Sequence, residues 1–215
     1  MYDLYHFLVV MIIICMFLYH LFAIYFKSKV AKYILKPGTM VFIVVLAIYG
    51  SSLDTAFSMW VIAALTSSLI GDVFLMLKER WFVHGLISFL GAHLFYIAAF
   101  WGSFGQDITV QTSVITGVLL FFLACCFFLL LFPSVKKQGG TKLAVSVAFY
   151  IIIISVMVWS AILVGVGILI FASFLFYISD AVLAWNKFKY TFEGAEYMIM
   201  STYFTAQILF ALSIG

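Results

Sequence analysis

The chain has 215 residues, of which 67% are hydrophobic and only 9% charged, with a formal net charge of +3. A mean hydropathy of +1.27 excludes a soluble globular domain, where about a quarter of the residues carry charge. So few charges, scattered among apolar runs, make the bilayer the expected surroundings and leave no basic face for nucleic acid.

An apolar helix of about 20 residues crosses a hydrocarbon core of about 30 Å. On that measure the chain reads as one polytopic all-α membrane domain over residues 1–215. Eight spans are expected, at roughly 4–26, 37–50, 56–77, 82–101, 111–132, 143–160, 163–185 and 195–214. The opening "MYDLYHFLVVMIIICMFLYH" has no basic segment and no small-residue cleavage site, so it is expected to be a retained first span. Cys15, Cys125 and Cys126 fall inside apolar runs and read as packed thiols. Pro37 and Pro133 are expected at span edges, and Gly165 and Gly167 are expected to serve close helix packing.

The connecting stretches "KSKVAKYILK", "KER", "KKQGGTK" and "NKFK" contain all eleven Lys and Arg residues. The alternate connections, "SSLDT", "GSFGQDI" and the turn near Ser160, contain none. Every basic loop then lies on one side, which the positive-inside rule makes cytoplasmic, with both termini outside. The membrane itself, bacterial inner membrane or eukaryotic endomembrane, stays open.

Two acids interrupt the oily pattern. Asp72 in "SSLIGDVFLML" and Asp180 in "FLFYISDAVLAW" follow the same order of Ile, a small residue, Asp, two residues and Leu. They stand half a chain length apart, on the third and seventh expected spans. A parallel four-plus-four pseudo-repeat follows, with its axis along the membrane normal. Both acids lie roughly 9 to 11 Å inside the cytoplasmic boundary at helical rise. A carboxylate there costs about 2.5 to 3.5 kcal/mol on insertion scales, so it needs partners or a function. Facing carboxyls would divide the work, one holding a proton and the other staying ionised.

Other polar groups reach the same half of the membrane. His93 and Tyr96 lie on the fourth expected span, Tyr203 and Gln207 on the eighth, Tyr150 on the sixth and His20 on the first. His93, Tyr203, Tyr150 and Gln207 are taken as supporting or orienting groups; each alone could equally be a satisfied packing residue. Lys36 reads as an interfacial anchor that could meet a lipid phosphate. A zinc hydrolase built on His20, His93 and the two acids would need ligands from several helices and lacks HExxH spacing, so no metal or other cofactor is expected.

"LKPGTM" at 35–40, "GDVFLML" at 71–77, "GAHLFYIAAF" at 91–100, "SDAVLAWNKF" at 179–188 and "YFTAQ" at 203–207 together resemble the YhhN family of membrane proteins, the lysoplasmalogenases. The resemblance implies hydrolysis of the vinyl ether bond of choline or ethanolamine lysoplasmalogens to a fatty aldehyde and a glycerophospho-base, with a lysophospholipid as the substrate. Paired acids suit that chemistry, because protonation of the vinyl β-carbon makes an oxocarbenium ion comparable to that of glycosidases. The alternative is a proton-coupled transporter of a small molecule or lipid, since intramembrane acids also mark proton relays. Oligomeric state is not legible.

Overall fold

The computed structural model describes residues 2–51, 53, 55–103 and 110–214. All of its regular elements are helical: α1 (Tyr2–Leu18), extended by a π-helical turn (Tyr19–Tyr25), α2 (Lys29–Gly50), α3 (Ala56–Met76), a 3-10 turn (Glu79–Trp81), α4 (Phe82–Ser103), α5 (Val110–Val164), α6 (Gly167–Ala184), extended by a second π-helical turn (Trp185–Lys189), and α7 (Ala195–Leu212). Among the described residues six helical segments are long and apolar enough to cross a membrane.

α5 is too long for one crossing: its 55 residues would extend about 80 Å at helical rise. The backbone leaves helical geometry at Gly139 (φ −143°, ψ 18°) and Gly140 (φ 66°, ψ −164°), the second of which only glycine adopts without strain. The two arms fold back on one another. Trp159 Nε1 donates to the Ser113 carbonyl at 3.0 Å, and Ala124, Leu131 and Val135 of the first arm share a cluster with Ala144, Val147 and Ile151 of the second. The stretch "KKQGGTK", expected as a loop, is therefore helix almost throughout, broken only at its glycine pair.

Three further expectations change. α2 starts at Lys29, eight residues before the expected start, because Ser28 caps it by accepting from the Ala31 amide at 3.3 Å. Pro37 consequently sits inside α2 and Pro133 inside α5, not at span edges. Gly165 makes the turn into α6 with φ +76°, and a Cβ at Gly165 or Gly167 would meet nothing within 4 Å. Conformation, not close packing, accounts for Gly165. Cys15 is buried, and all three thiols are free.

The two most extensive helix pairs are α3 with α4 and α6 with α7. Each involves the small residue that precedes an acid. A Cβ on Gly71 would stand 2.8 Å from the Phe89 ring of α4, and the Ser179 hydroxyl donates to the Ile199 carbonyl of α7 at 3.1 Å. Close approach of these helices carries Asp72 and Asp180 into the interior. A continuous core formed by residues of all seven helices surrounds them.

The basic segments meet at one end of the bundle. Lys32 pairs with Glu196 at 2.5 Å and Lys187 with Glu79 at 2.5 Å, while Gln138 Nε2 donates to the Phe188 carbonyl at 3.1 Å and Lys189 Nζ to the Leu130 carbonyl at 3.2 Å. Ser52, Asp54 and residues 104–109, in the loops without basic residues, lie outside the described residues.

Candidate active site

Each acid is held by side chains from two other helices. Asp72, 1% exposed, receives the Lys36 ammonium at 3.0 Å on Oδ1 and the Tyr203 hydroxyl at 2.7 Å on Oδ2. Both oxygens are occupied, one by a cation, which is the environment of an ionised carboxylate. Lys36 is itself buried, at 6% exposure. Its ammonium is committed to Asp72 instead of the membrane surface, where the phosphate-binding and anchoring readings would put it. The early start of α2 explains this: with Lys29 in the first turn, Lys36 lies two turns inside the helix.

Asp180 is bound differently. His93 Nε2 lies 3.2 Å from Oδ2, and the Tyr150 hydroxyl donates to the same oxygen in a short hydrogen bond. Tyr150 and His93 also meet, with 3.0 Å between the hydroxyl and Nε2. His93 Nδ1 has no hydrogen-bond partner among the described residues, so a neutral ring with its proton on Nε2 suits the site best. Two donors thus converge on Oδ2, whereas Oδ1 carries no hydrogen bond among the described residues.

Aromatic rings separate the two clusters. Phe176 lies 4.7 Å from the His93 ring and 5.5 Å from that of Tyr203, and Phe89 lies 5.9 Å from Tyr203. The two carboxyls share no hydrogen bond among the described residues. Gln207 stands beside the Asp72 cluster, accepting from the Tyr96 hydroxyl at 2.7 Å. His20 is elsewhere, bonded to Ser201 Oγ at 2.9 Å.

Asp180, and not Asp72, lines an apolar pocket between α3, α4, α5 and α6. Its walls are apolar, among them Leu86, Phe89, Phe127 and Ile154, with Asp180, Tyr150 and Tyr177 as the polar members. An apolar pocket with a carboxyl in its wall is suited to an acyl or alkenyl chain whose reactive bond sits near its polar end. Tyr177 was not singled out from the sequence. Its spacing three residues before Asp180 places it on the same helical face, a signal that does not distinguish it from the many other Tyr residues here. Among the described residues no three His, Cys, Asp or Glu side chains converge as metal ligands.

The YhhN family profile matches residues 31–214. The mouse protein named lysoplasmalogenase TMEM86B (Mus musculus) is 35% identical over 157 residues, covering 73% of this chain and 64% of the mouse protein. The human lysoplasmalogenase TMEM86A (Homo sapiens) is 32% identical over 169 residues, 71% of this chain and 64% of its own length. A lysoplasmalogenase homolog of Dictyostelium discoideum is 33% identical over 108 residues, 50% of this chain and 35% of that protein. The chain thus spans just under two thirds of the length of the mammalian proteins it matches. No solved structure matches it. A match running from Ala31 through both acid-bearing helices, their partners and α7 assigns the chain to the YhhN family.

Proposed function

We propose that this protein is a membrane hydrolase that cleaves the vinyl ether bond of lysoplasmalogens, with Asp180 as the general acid. The observation that carries the reading is the asymmetry of the acids: of the two, Asp180 lines the apolar pocket, with donors on Oδ2 and, among the described residues, no hydrogen bond on Oδ1, the oxygen that gives the proton in the first step and regains it in the second. The names of the mouse and human relatives support the same substrate class.

The chemistry runs in three steps. Asp180 transfers a proton to the vinyl β-carbon, forming a C–H bond and leaving an oxocarbenium ion. The resulting carboxylate then accepts a proton from the water that attacks the α-carbon, giving a hemiacetal. Collapse of the hemiacetal breaks the carbon–oxygen bond to glycerol and releases a fatty aldehyde and the glycerophospho-base. His93 and Tyr150 hold the Asp180 carboxyl in place throughout. Asp72 stays paired with Lys36 and Tyr203, one ring layer away, and ties α2, α3 and α7 together behind the reacting acid.

The same reading takes the chain as eight crossings in two parallel halves, the arms of α5 counting as two. The site supports this pairing. Asp72 is bound from the helix before it, by Lys36 of α2, and from α7, by Tyr203; Asp180 is bound from the helix before it, by Tyr150 of the second α5 arm, and from α4, by His93. Each half supplies the last helix's donor to the acid of the other half, as a twofold relation requires.

The test is to incubate purified protein in detergent with a lysoplasmalogen and, separately, with an ester lysophospholipid, and to assay fatty aldehyde and free fatty acid. Aldehyde from the first and nothing from the second is expected. Fatty acid from the ester would make the protein a lysophospholipase, and no product from either would turn the argument to the transporter.

A further inference from the structure

An ion pair that the chemistry above does not use lies beside the pocket, at the basic end of the bundle. Lys187, in the π-helical turn after α6, holds Glu79, in the 3-10 turn before α4, at 2.5 Å. The Lys187 ammonium also lies 5.0 Å from the centre of the Phe82 ring. Phe82 meets Phe188 edge-on at 5.9 Å, and both rings line the chamber that contains Asp180. An exposed ion pair contributes little to stability. This one is seated on the aromatic wall of the apolar pocket, with the Glu79 side chain 84% exposed and that of Lys187 32% exposed, so each charge keeps a side open to an incoming group.

We propose that Lys187 and Glu79 form the head-group subsite of this pocket and recognise a zwitterionic phosphate–amine ester, Lys187 taking the phosphate and Glu79 the ammonium; this rests on the hydrolase reading given above. Three observations fit together. Lys187 follows Asp180 by two helical turns, a rise of about 10 Å. The vinyl β-carbon of a lysoplasmalogen lies roughly 9 Å from its phosphorus along the seven bonds of an extended glycerol. A lipid with its reactive carbon at Asp180 therefore brings its phosphate to Lys187. The order of charges agrees as well, because the phosphate is nearer the glycerol and the amine farther out, just as Lys187 lies against the pocket rings and Glu79 stands more exposed. Finally, the ligand exchanges one ion pair for two of the same signs, so no charge is left unpaired.

The test compares KM for lysoplasmenylethanolamine, 1-alkenylglycerol 3-phosphate and 1-alkenylglycerol. Wild-type protein is expected to prefer them in that order. Lys187→Gln should shrink the preference for the two phosphates over 1-alkenylglycerol by about tenfold or more, the effect falling in KM, as loss of one charge-assisted contact implies. Glu79→Gln should shrink only the preference for the ethanolamine ester over the bare phosphate. The exchange Glu79→Lys with Lys187→Glu keeps an ion pair but reverses its order, so it separates recognition from stability and decides the matter if a single variant fails to fold. Loss of the phosphate preference in the exchanged protein supports the subsite. Wild-type preferences in that protein, or in both single variants, overturn it. Absence of aldehyde from all three substrates with the wild-type protein overturns the hydrolase reading itself, an outcome seen before any variant is compared.

Discussion

Asp72 and Asp180 differ in what holds them, so the same substitution has two signatures. Asp180→Asn keeps the acceptor that Tyr150 and His93 bind but cannot donate a proton to carbon. Vinyl ether turnover should fall by about 10² to 10⁴-fold, with the protein folded and monodisperse. Adding Asp72→Asn to Asp180→Asn should cost little further turnover, because the step that needs the acid is already lost. Near-wild-type turnover in Asp180→Asn would remove it as the acid.

Lys36 and Asp72 test a different point. Lys36→Met leaves Asp72 as an unpaired buried charge, which typically costs about 3 to 5 kcal/mol. Lys36→Met combined with Asp72→Asn removes both charges and should recover most of that loss. Thermal unfolding in detergent should therefore rank the double variant above Lys36→Met alone. Equal destabilisation would mean that the 3.0 Å contact contributes nothing as a pair. The Lys36 pairing is also the site feature hardest to read from sequence, since a lysine near a span edge is ordinarily an anchor.

At the scale of a helix, glycine substitutions should act in opposite directions. In Gly71→Ala the new Cβ would stand 2.8 Å from Cδ2 and Cε2 of Phe89, a ring fixed edge-on against Phe176 and Tyr203. Overpacking of this kind costs about 1 to 3 kcal/mol, and because Phe89 also lines the pocket, turnover should fall with the melting temperature. Gly38, inside α2, would place a Cβ with nothing within 4 Å. Gly38→Ala should be neutral or stabilise by about 0.5 to 1 kcal/mol through helix propensity. Equal melting temperatures for the two variants would refute the close approach of α3 and α4.

The repeated small residue before each acid was legible in the sequence, but its purpose was not. Gly71 and Ser179 look alike in a string, whereas one makes room for a ring and the other bonds a carbonyl across to α7. The beginning of α2 was legible in principle from Ser28 as a cap, but Pro37 competed as a boundary signal. Pro37 nevertheless sits in the interior of α2, where it forgoes one backbone hydrogen bond, a loss that membrane helices accommodate through neighbouring groups.

For the whole molecule, the one-sided charge predicts labelling. In a background lacking Cys15, Cys125 and Cys126, cysteines introduced at Ser52 and Gln106 should react with an impermeant thiol reagent from outside, and one at Gln138 only from the cytoplasm. Gln138 sits at the end where Lys32, Lys187 and Lys189 make their contacts. Outside labelling at Gln138 would overturn the orientation and the common depth of the two acids.

By itself the sequence determined that this is an all-helical chain suited to a bilayer and that two acids sit within its apolar helices. Those properties are local: hydropathy over a span and position along one helix each depend on residues near one another in the chain. Only the tertiary structure decided that Lys36 pairs with Asp72, that His93 and Tyr150 converge on one oxygen of Asp180, and that Asp180 and not Asp72 lines the apolar pocket. Those facts depend on which faces of separate helices come together. In a bilayer nearly every face is apolar, so hydrophobic periodicity cannot mark the buried one, and close packing at Gly71 and Ser179 selects it instead.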